Sequence, residues 1–129
     1  MRFLSYISNM TKNLDKSGLK SIVNNYDLFF IDIWGVVHNG INLHDSSIEV
    51  LENLLNLNKE FVLLTNAPRP NITVINFLKK MGLKNKFFKN VFTSGEAALK
   101  YLIKDLNSKK FFHIGPPRDF DLFKSFQEN

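Results

Sequence analysis

The sequence contains no cysteine, which excludes a disulfide framework and any thiolate metal site. That absence accords with a reducing compartment, and a cytoplasmic location is the expectation. No apolar run approaches the ~18–20 residues that a membrane-spanning helix requires. The opening stretch Met1-Arg2-Phe3-Leu4-Ser5-Tyr6-Ile7 is soon broken by Asn9, Lys12, Asn13 and Asp15, so it lacks the apolar centre of a secretory signal. Glycine and proline are sparse, at six and four residues, and neither a repeat nor a low-complexity linker is visible. The phosphate-cradling loops are missing too: no G-x-G-x-x-G follows the first apolar run, and there is no Walker A loop. A nucleophile elbow of the form G-x-S-x-G is also absent.

What remains is a chain of 129 residues, 44% hydrophobic, with thirteen phenylalanines. That is the length of one small domain with enough apolar side chain for a core. Acidic residues are outnumbered 12 to 17 by basic ones, giving a net charge of +5. The excess is local, with nine lysines from Lys79 to Lys110 against Glu96 and Asp105. Such a face can attract a polyanion. No aromatic–arginine interleaving accompanies it, and Lys, Asn, Ile and Phe are frequent throughout. The lysines therefore read as a compositional bias, and nucleic acid is not expected as a partner.

Asp27 to Gly40 is the stretch around which the chain is organised. Residues 27–34 read as the first strand, whose apolar run Leu28-Phe29-Phe30-Ile31 is a buried-strand pattern that stops at Asp32. A loop with Gly35 and Gly40 follows, readable as a tight hairpin. Ser46-x-x-Glu49 has the spacing of a capping box, and Ile48, Leu51, Leu54 and Leu55 then recur at helical spacing. Glu60 to Thr65 predicts a second strand, with the apolar run Phe61 to Leu64 stopping at Thr65-Asn66. Pro70 or Asn71 opens a helix with Ile72, Ile75, Leu78 and Met81 inward and Gly82 after its end. Val91-Phe92 predicts a third strand, ending at Thr93-Ser94. Thr93-x-x-Glu96 is a second capping box, before a helix with Ala98, Leu99, Leu102, Ile103 and Leu106 inward. Lys110 to Ile114 predicts a fourth strand, and Leu122, Phe123 and Phe126 a last amphipathic stretch. Residues 1–25 read as a helical lead-in, with one short helix from Ser17 to Asn24, and residues 26–129 as the main domain. The β-α-β-α-β-α-β-α order implies α/β class, a three-layer Rossmann-like parallel sheet.

In such a sheet the strand tips converge on one edge. Asp32, Thr65-Asn66 and Thr93-Ser94 all sit at tips. A carboxylate opposite a hydroxyl and an amide suits phosphoryl chemistry: the carboxylate can attack phosphorus or hold a cation, and the others can hold non-bridging oxygens. For Thr93 taken alone, a helix cap is the simpler role. His38, His44 and His113 lack metal-ligand spacing.

The ordered set Asp32-Ile33-Trp34-Gly35-Val36-Val37-His38-Asn39-Gly40, then Leu64-Thr65-Asn66, then Thr93-Ser94-Gly95-Glu96-Ala97-Ala98 and His113-Ile114-Gly115, resembles the haloacid dehalogenase superfamily. It is most similar to the class IIA sugar-phosphate and nitrophenyl-phosphatase branch, in its N-terminal half. The resemblance implies Asp32 as a nucleophile that forms an aspartyl-phosphate and also binds Mg²⁺, with the Trp34 carbonyl as a second metal ligand. It implies Thr65 and Asn66 at the phosphoryl group and Gly35 in a mobile turn beside the substrate. Arg69, just past that tip, is placed where it can touch substrate, with a solvated loop position as the simpler reading. Two departures stand out. Trp34 occupies the position where these phosphatases carry a proton-donating Asp, which puts at risk the ~10²–10⁴-fold contribution of general acid catalysis. The later motifs, a lysine and an acidic pair that completes the Mg²⁺ site, have no room before Asn129. Asp119 and Asp121 read as the start of a helix instead.

The expectation is a truncated, incomplete phosphatase core without a cap domain, inactive or weakly active alone. Its substrate, if any, is a phosphorylated small molecule. One alternative is an active enzyme completed by a separately encoded second half. Another is a non-catalytic polyanion-binding module. An open sheet edge and uncovered apolar surface also predict self-association.

Overall fold

The computed structural model describes Leu14 and residues 16–106 and 108–126, with side chains as far as Lys124. The expectation for residues 1–13 and the inward placement of Phe126 fall outside them. Three strands form, β1 (Leu28–Asp32), β2 (Glu60–Thr65) and β3 (Val91–Thr93), in one parallel sheet of order β1-β2-β3. Between and after them run α1 (Asp45–Asn56), α2 (Asn71–Lys80) and α3 (Ser94–Asp105). The class is α/β and Rossmann-like, as the alternation predicts.

Register decides the faces. Phe29 pairs with Phe61 and Ile31 with Leu63, while Leu63 also pairs with Val91. Side chains alternate along a strand, so these residues share one face. Leu51 and Leu54 of α1 and Val74 and Leu78 of α2 cover that face, with Ile33, Val37, Leu83 and Phe87 filling the remaining core. Right-handed crossovers between neighbouring parallel strands put both helices on this same side. The other face carries Leu28, Phe30, Val62, Leu64 and Phe92, and there Phe30 is 68% exposed. Among the described residues α3 approaches it, with the Lys100 ammonium 5.8 Å from the Phe92 ring.

Local signals explain most boundaries. The Thr93 hydroxyl accepts from the Glu96 N–H at 2.9 Å, so the second capping box forms at the start of α3. After α2, the Leu83 N–H reaches the Leu78 carbonyl at 3.0 Å and the Gly82 N–H the Lys79 carbonyl at 2.9 Å. Gly82 sits at φ 96° there, the left-handed residue that closes such an end.

Four expectations are corrected. The Lys110–Ile114 segment is not a strand; Phe112 and Ile114 are 90% and 89% exposed. Its residues favour extended backbone, but a strand exists only by pairing, and none of the three strands pairs with it. The Ser46 capping box does not form: α1 starts at Asp45 after His44, with no side-chain cap bond, and the neighbouring Ser47 hydroxyl donates to the Val36 carbonyl instead. Where one helix was expected from Ser17 to Asn24, the described residues form two 3₁₀ turns, Leu19–Ser21 and Val23–Asn25, since Gly18 and the two asparagines are weak helix formers. Finally, α2 buries Val74 and Leu78 while Ile72 is exposed, and α3 leaves Ala98 and Ile103 exposed. No helix among the described residues is long and apolar enough to cross a membrane.

Candidate active site

The parallel register brings Asp32, Thr65 and Thr93 to one edge of the sheet. Asp32 pairs with Leu64, one residue before Thr65, and Thr65 pairs with Thr93. The same register separates the side chains. Asp32 belongs with Phe30, Leu64 and Phe92 on the outer face and is exposed, whereas Thr65 and Thr93 belong with Leu63 on the covered face and are buried. They therefore line different cavities. Asp32 opens on a space of about 470 Å³ with Val36, Ser46 and Ser47. Thr65 opens on one of about 490 Å³ with Trp34, Arg69 and Phe77. Thr65 Oγ1 accepts from the Ala67 N–H at 3.3 Å, which leaves the hydroxyl proton free to be donated.

The loop from Ile33 to His44 is a folded hairpin. The Val37 and His38 N–H groups both reach the Ile33 carbonyl, and the His44 N–H reaches Val37. Gly35, at φ 80°, spends its N–H on the His38 carbonyl at 2.8 Å. Gly40 is glycine for two reasons: its φ is 93°, and a Cβ there would lie 2.7 Å from the Trp34 indole. His38 is buried, its Nδ1 accepts from the Gly40 N–H at 2.8 Å, and its ring meets Trp34 edge-on at 5.1 Å. Burial, then the neighbouring His44, push its imidazole below the ordinary 6.5, with Asp32 opposing. At neutral pH it is an uncharged aromatic wall.

The turn after Thr65 is clamped to the start of α3. Ser94 Oγ donates to the carbonyls of Asn66 and Ala67, and the Gly95 N–H to Ala67. The Thr93 hydroxyl donates to the Arg69 carbonyl, the Thr93 N–H to Asn71 Oδ1, and the Asn71 N–H to Glu96. Gly95 packs so closely that a Cβ would stand 2.2 Å from the Arg69 nitrogen. Thr93, Ser94 and Gly95 thus position the Asn66–Arg69 turn.

Arg69 does not stand free toward a substrate. Its Nη2 donates to the Arg118 carbonyl at 3.0 Å, and its Nε lies 3.6 Å from Asp119. Asp121 accepts from the Thr73 hydroxyl at 2.8 Å. Both aspartates lie in a 3₁₀ stretch, Pro117–Phe126, which packs against α3 and is tied to Thr73 of α2 and to Arg69 by the bonds just given. His113 packs against Phe120 and Phe123 of that stretch.

A Mg²⁺ site needs near-octahedral oxygen donors, with one or two carboxylates among them. Among the described residues no three His, Asp or Glu side chains group closely enough to hold a cation. Asp32 and Asp119 line different cavities, and Asp119 already faces Arg69. The residues present do not assemble the site, and no chemical step below runs through a metal.

Sequence reading missed Thr73 and Phe77 as lining residues. A signal existed: Arg69, Thr73 and Phe77 are spaced by four, the spacing of one helix face, although Arg69 itself precedes α2.

The family model for haloacid dehalogenase-like hydrolases matches residues 29–127. The chain belongs to that family. Among solved structures, a haloacid dehalogenase-like hydrolase from Brucella suis is 29% identical, with a TM-score of 0.73 over 82% of this chain and 38% of its own. A putative NagD protein is 29% identical, with a TM-score of 0.63 over 78% of this chain and 40% of its own. A 4-nitrophenylphosphatase from Thermotoga maritima is 27% identical, with a TM-score of 0.65 over 81% and 40%. The chain therefore spans about two fifths of the length of these solved relatives and is a partial haloacid dehalogenase-like domain. None of the curated proteins matches it.

Proposed function

We propose that this chain is the phosphoryl-binding portion of a phosphomonoester hydrolase and does not complete turnover by itself. In this reading Asp32 attacks phosphorus: a carboxylate O–P bond forms as the bond to the leaving oxygen breaks. Water then hydrolyses the acyl phosphate, returning the carboxylate and inorganic phosphate. Thr65 donates its hydroxyl to a non-bridging oxygen, with Asn66 beside it. The reading draws on the family, on the exposed carboxylate at the β1 tip, and on the free hydroxyl proton of Thr65.

One observation carries the absence of turnover. Asp32 and Thr65 are neighbours along the sheet edge, yet their side chains leave the sheet on opposite faces, and no acidic cluster stands beside either among the described residues. Trp34 adds a second obstacle, because an indole N–H is not a proton donor at useful pKa. The test is hydrolysis of nitrophenyl phosphate with Mg²⁺ by the purified chain. No Asp32-dependent turnover is expected, and a rate abolished by Asp32→Asn overturns the reading.

The bare outer face supports a second version. Phe30, Leu64 and Phe92 form an apolar surface that, among the described residues, has α3 beside it, and a separately encoded polypeptide supplying the remaining layer would cover it. Co-expression with the product of the next reading frame then restores Asp32-dependent hydrolysis. An inert pair excludes that version. Nothing comparable favours a polyanion module: Lys84 and Lys86 pair with Glu52, and Lys89 with Glu60.

A further inference from the structure

The two outer edges of the sheet are built differently. At the far edge, β3 is three residues long, and short edge strands resist pairing with other chains. The Leu63 N–H donates to the Asn90 carbonyl at 2.9 Å, so Asn90 and Phe92 turn their backbone toward β2, while Val91 and Thr93 turn theirs outward. Of those two, Thr93 spends its N–H on Asn71 Oδ1 at 2.9 Å. Lys89, with its side chain largely exposed, stands just before the strand.

The β1 edge has none of these devices. It runs for five residues, Leu28–Asp32, without proline, glycine or lysine. The Glu60 N–H donates to the Asp27 carbonyl at 3.0 Å, so the backbone of Asp27, Phe29 and Ile31 faces β2. The N–H and C=O groups of Leu28, Phe30 and Asp32 therefore point away from the sheet, and among the described residues no backbone group meets them. Four consecutive β1 residues, Phe29 to Asp32, line one cleft of about 470 Å³. Successive residues face opposite sides, so that cleft runs beside the strand rather than over one face of it. A row of unpaired N–H and C=O groups is a template for another strand.

We infer that this edge pairs with the same edge of a second copy of the chain, β1 antiparallel to β1 about a twofold axis at Phe30. A twofold axis sets two copies of one edge antiparallel, as an isologous contact requires. Centred on Phe30, the pairing sets Phe30 against its counterpart and Leu28 against Asp32 of the other copy. All three outward residues of each strand are then engaged, in about six backbone hydrogen bonds. Any shift of the axis leaves one of the three unpaired. Charge permits the same register. The two Asp32 carboxylates stand on opposite sides of the axis, about 13 Å apart along the pair, beyond the ~8 Å over which salt screens them. Asp27 already has Lys59 at 3.6 Å. Leu28 and Phe30 are both exposed on the outer face, so apolar side chains meet across the axis, with the two Phe30 rings as a cross-strand aromatic pair. The product is one continuous sheet made from two three-stranded halves. The inference does not rest on the phosphoryl chemistry proposed for Asp32 and Thr65.

Sedimentation of the full chain from roughly micromolar to hundred-micromolar concentration reads the pairing, and a monomer–dimer equilibrium is expected. Phe30→Pro removes an N–H that β2 does not use, and should raise the dimer dissociation constant at least about tenfold. Phe30→Lys sets two ammonium groups against each other at the axis and should act alike, which serves if the proline variant fails to fold. Phe92→Lys alters the outer face at β3, away from the edge, and should leave the dimer intact. The chain has no cysteine, so single cysteines report the register. Phe30→Cys should give a disulfide-linked dimer under mild oxidation, and Leu28→Cys should not, its two copies lying about 13 Å apart. A chain that stays monomeric throughout overturns the inference, and so does a dimer that survives both Phe30→Pro and Phe30→Lys. A dimer lost in Phe92→Lys, or linked as readily in Leu28→Cys, is packed face to face and overturns it too. So does an edge that binds the product of the next reading frame while the chain alone forms no dimer.

Discussion

The two faces of the sheet carry similar residues and meet different surroundings. On one, Phe29, Ile31, Phe61, Leu63 and Val91 lie under α1 and α2 in a continuous core. On the other, Leu28, Phe30, Leu64 and Phe92 are among the exposed large apolar side chains, and α3 reaches only the β3 side. Three of these four are in β1 and β2, whose uninterrupted apolar runs are the pattern of strands buried on both faces. Among the described residues, the apolar side chains for a second core are thus present without a layer that covers them. Stability should be concentrated on one side of the sheet and association on the other.

The largest effect that tests this contrast is Leu63→Ala. Leu63 is fully buried at the centre of the covered face, and its loss should cost about 2–5 kcal/mol in denaturant unfolding. A cost below that of an average surface change would mean that the covered face is not the core. Gly95→Ala comes next. The added Cβ strikes the Pro68 and Arg69 backbone, and overpacking of this kind costs about 1–3 kcal/mol.

A smaller effect concerns pH. His38 has its folded pKa below the ordinary 6.5, so in the window beneath 6.5 the unfolded chain binds more protons than the folded one. Stability is therefore present above that value and falls as acid carries pH down toward the folded pKa. The thermal midpoint should drop between pH 7.5 and 5.5, and His38→Asn should flatten the slope. An unchanged slope in the variant would place the titration elsewhere. Smallest of all is Phe30→Ser on the bare face, expected to shift stability by no more than about 0.5 kcal/mol. It should instead reduce self-association in sedimentation. A large loss of stability would show that Phe30 is packed in solution.

The three strands, the three long helices and the shared edge of Asp32, Thr65 and Thr93 are legible because each follows from local pattern. A run of four apolar residues, a cap and a glycine act over a few positions. The fourth strand is not legible for the converse reason. Lys110 to Ile114 has the composition of a strand, and composition reports a preference for extended backbone without naming an edge to pair with. The opposite facing of Asp32 and Thr65 depends on register between strands, which neither strand encodes alone. The aromatic cavity gathers residues from Trp34 to Asp119, so only tertiary structure assembles it. Asp119 shows how far this goes: as sequence it opens a helix, and in the fold it stands against Arg69.

The order β1-β2-β3 has one more consequence. Among the described residues, each strand pairs only with the strand that follows or precedes it in the chain, so none waits for a more distant segment before it finds its partner. The loop-closure cost that slows sheets with long-range pairing is met here in separate, short steps. During synthesis, α1 and β2 can dock on β1 before α2 and β3 leave the ribosome, so the covered face should assemble in the order in which it is translated.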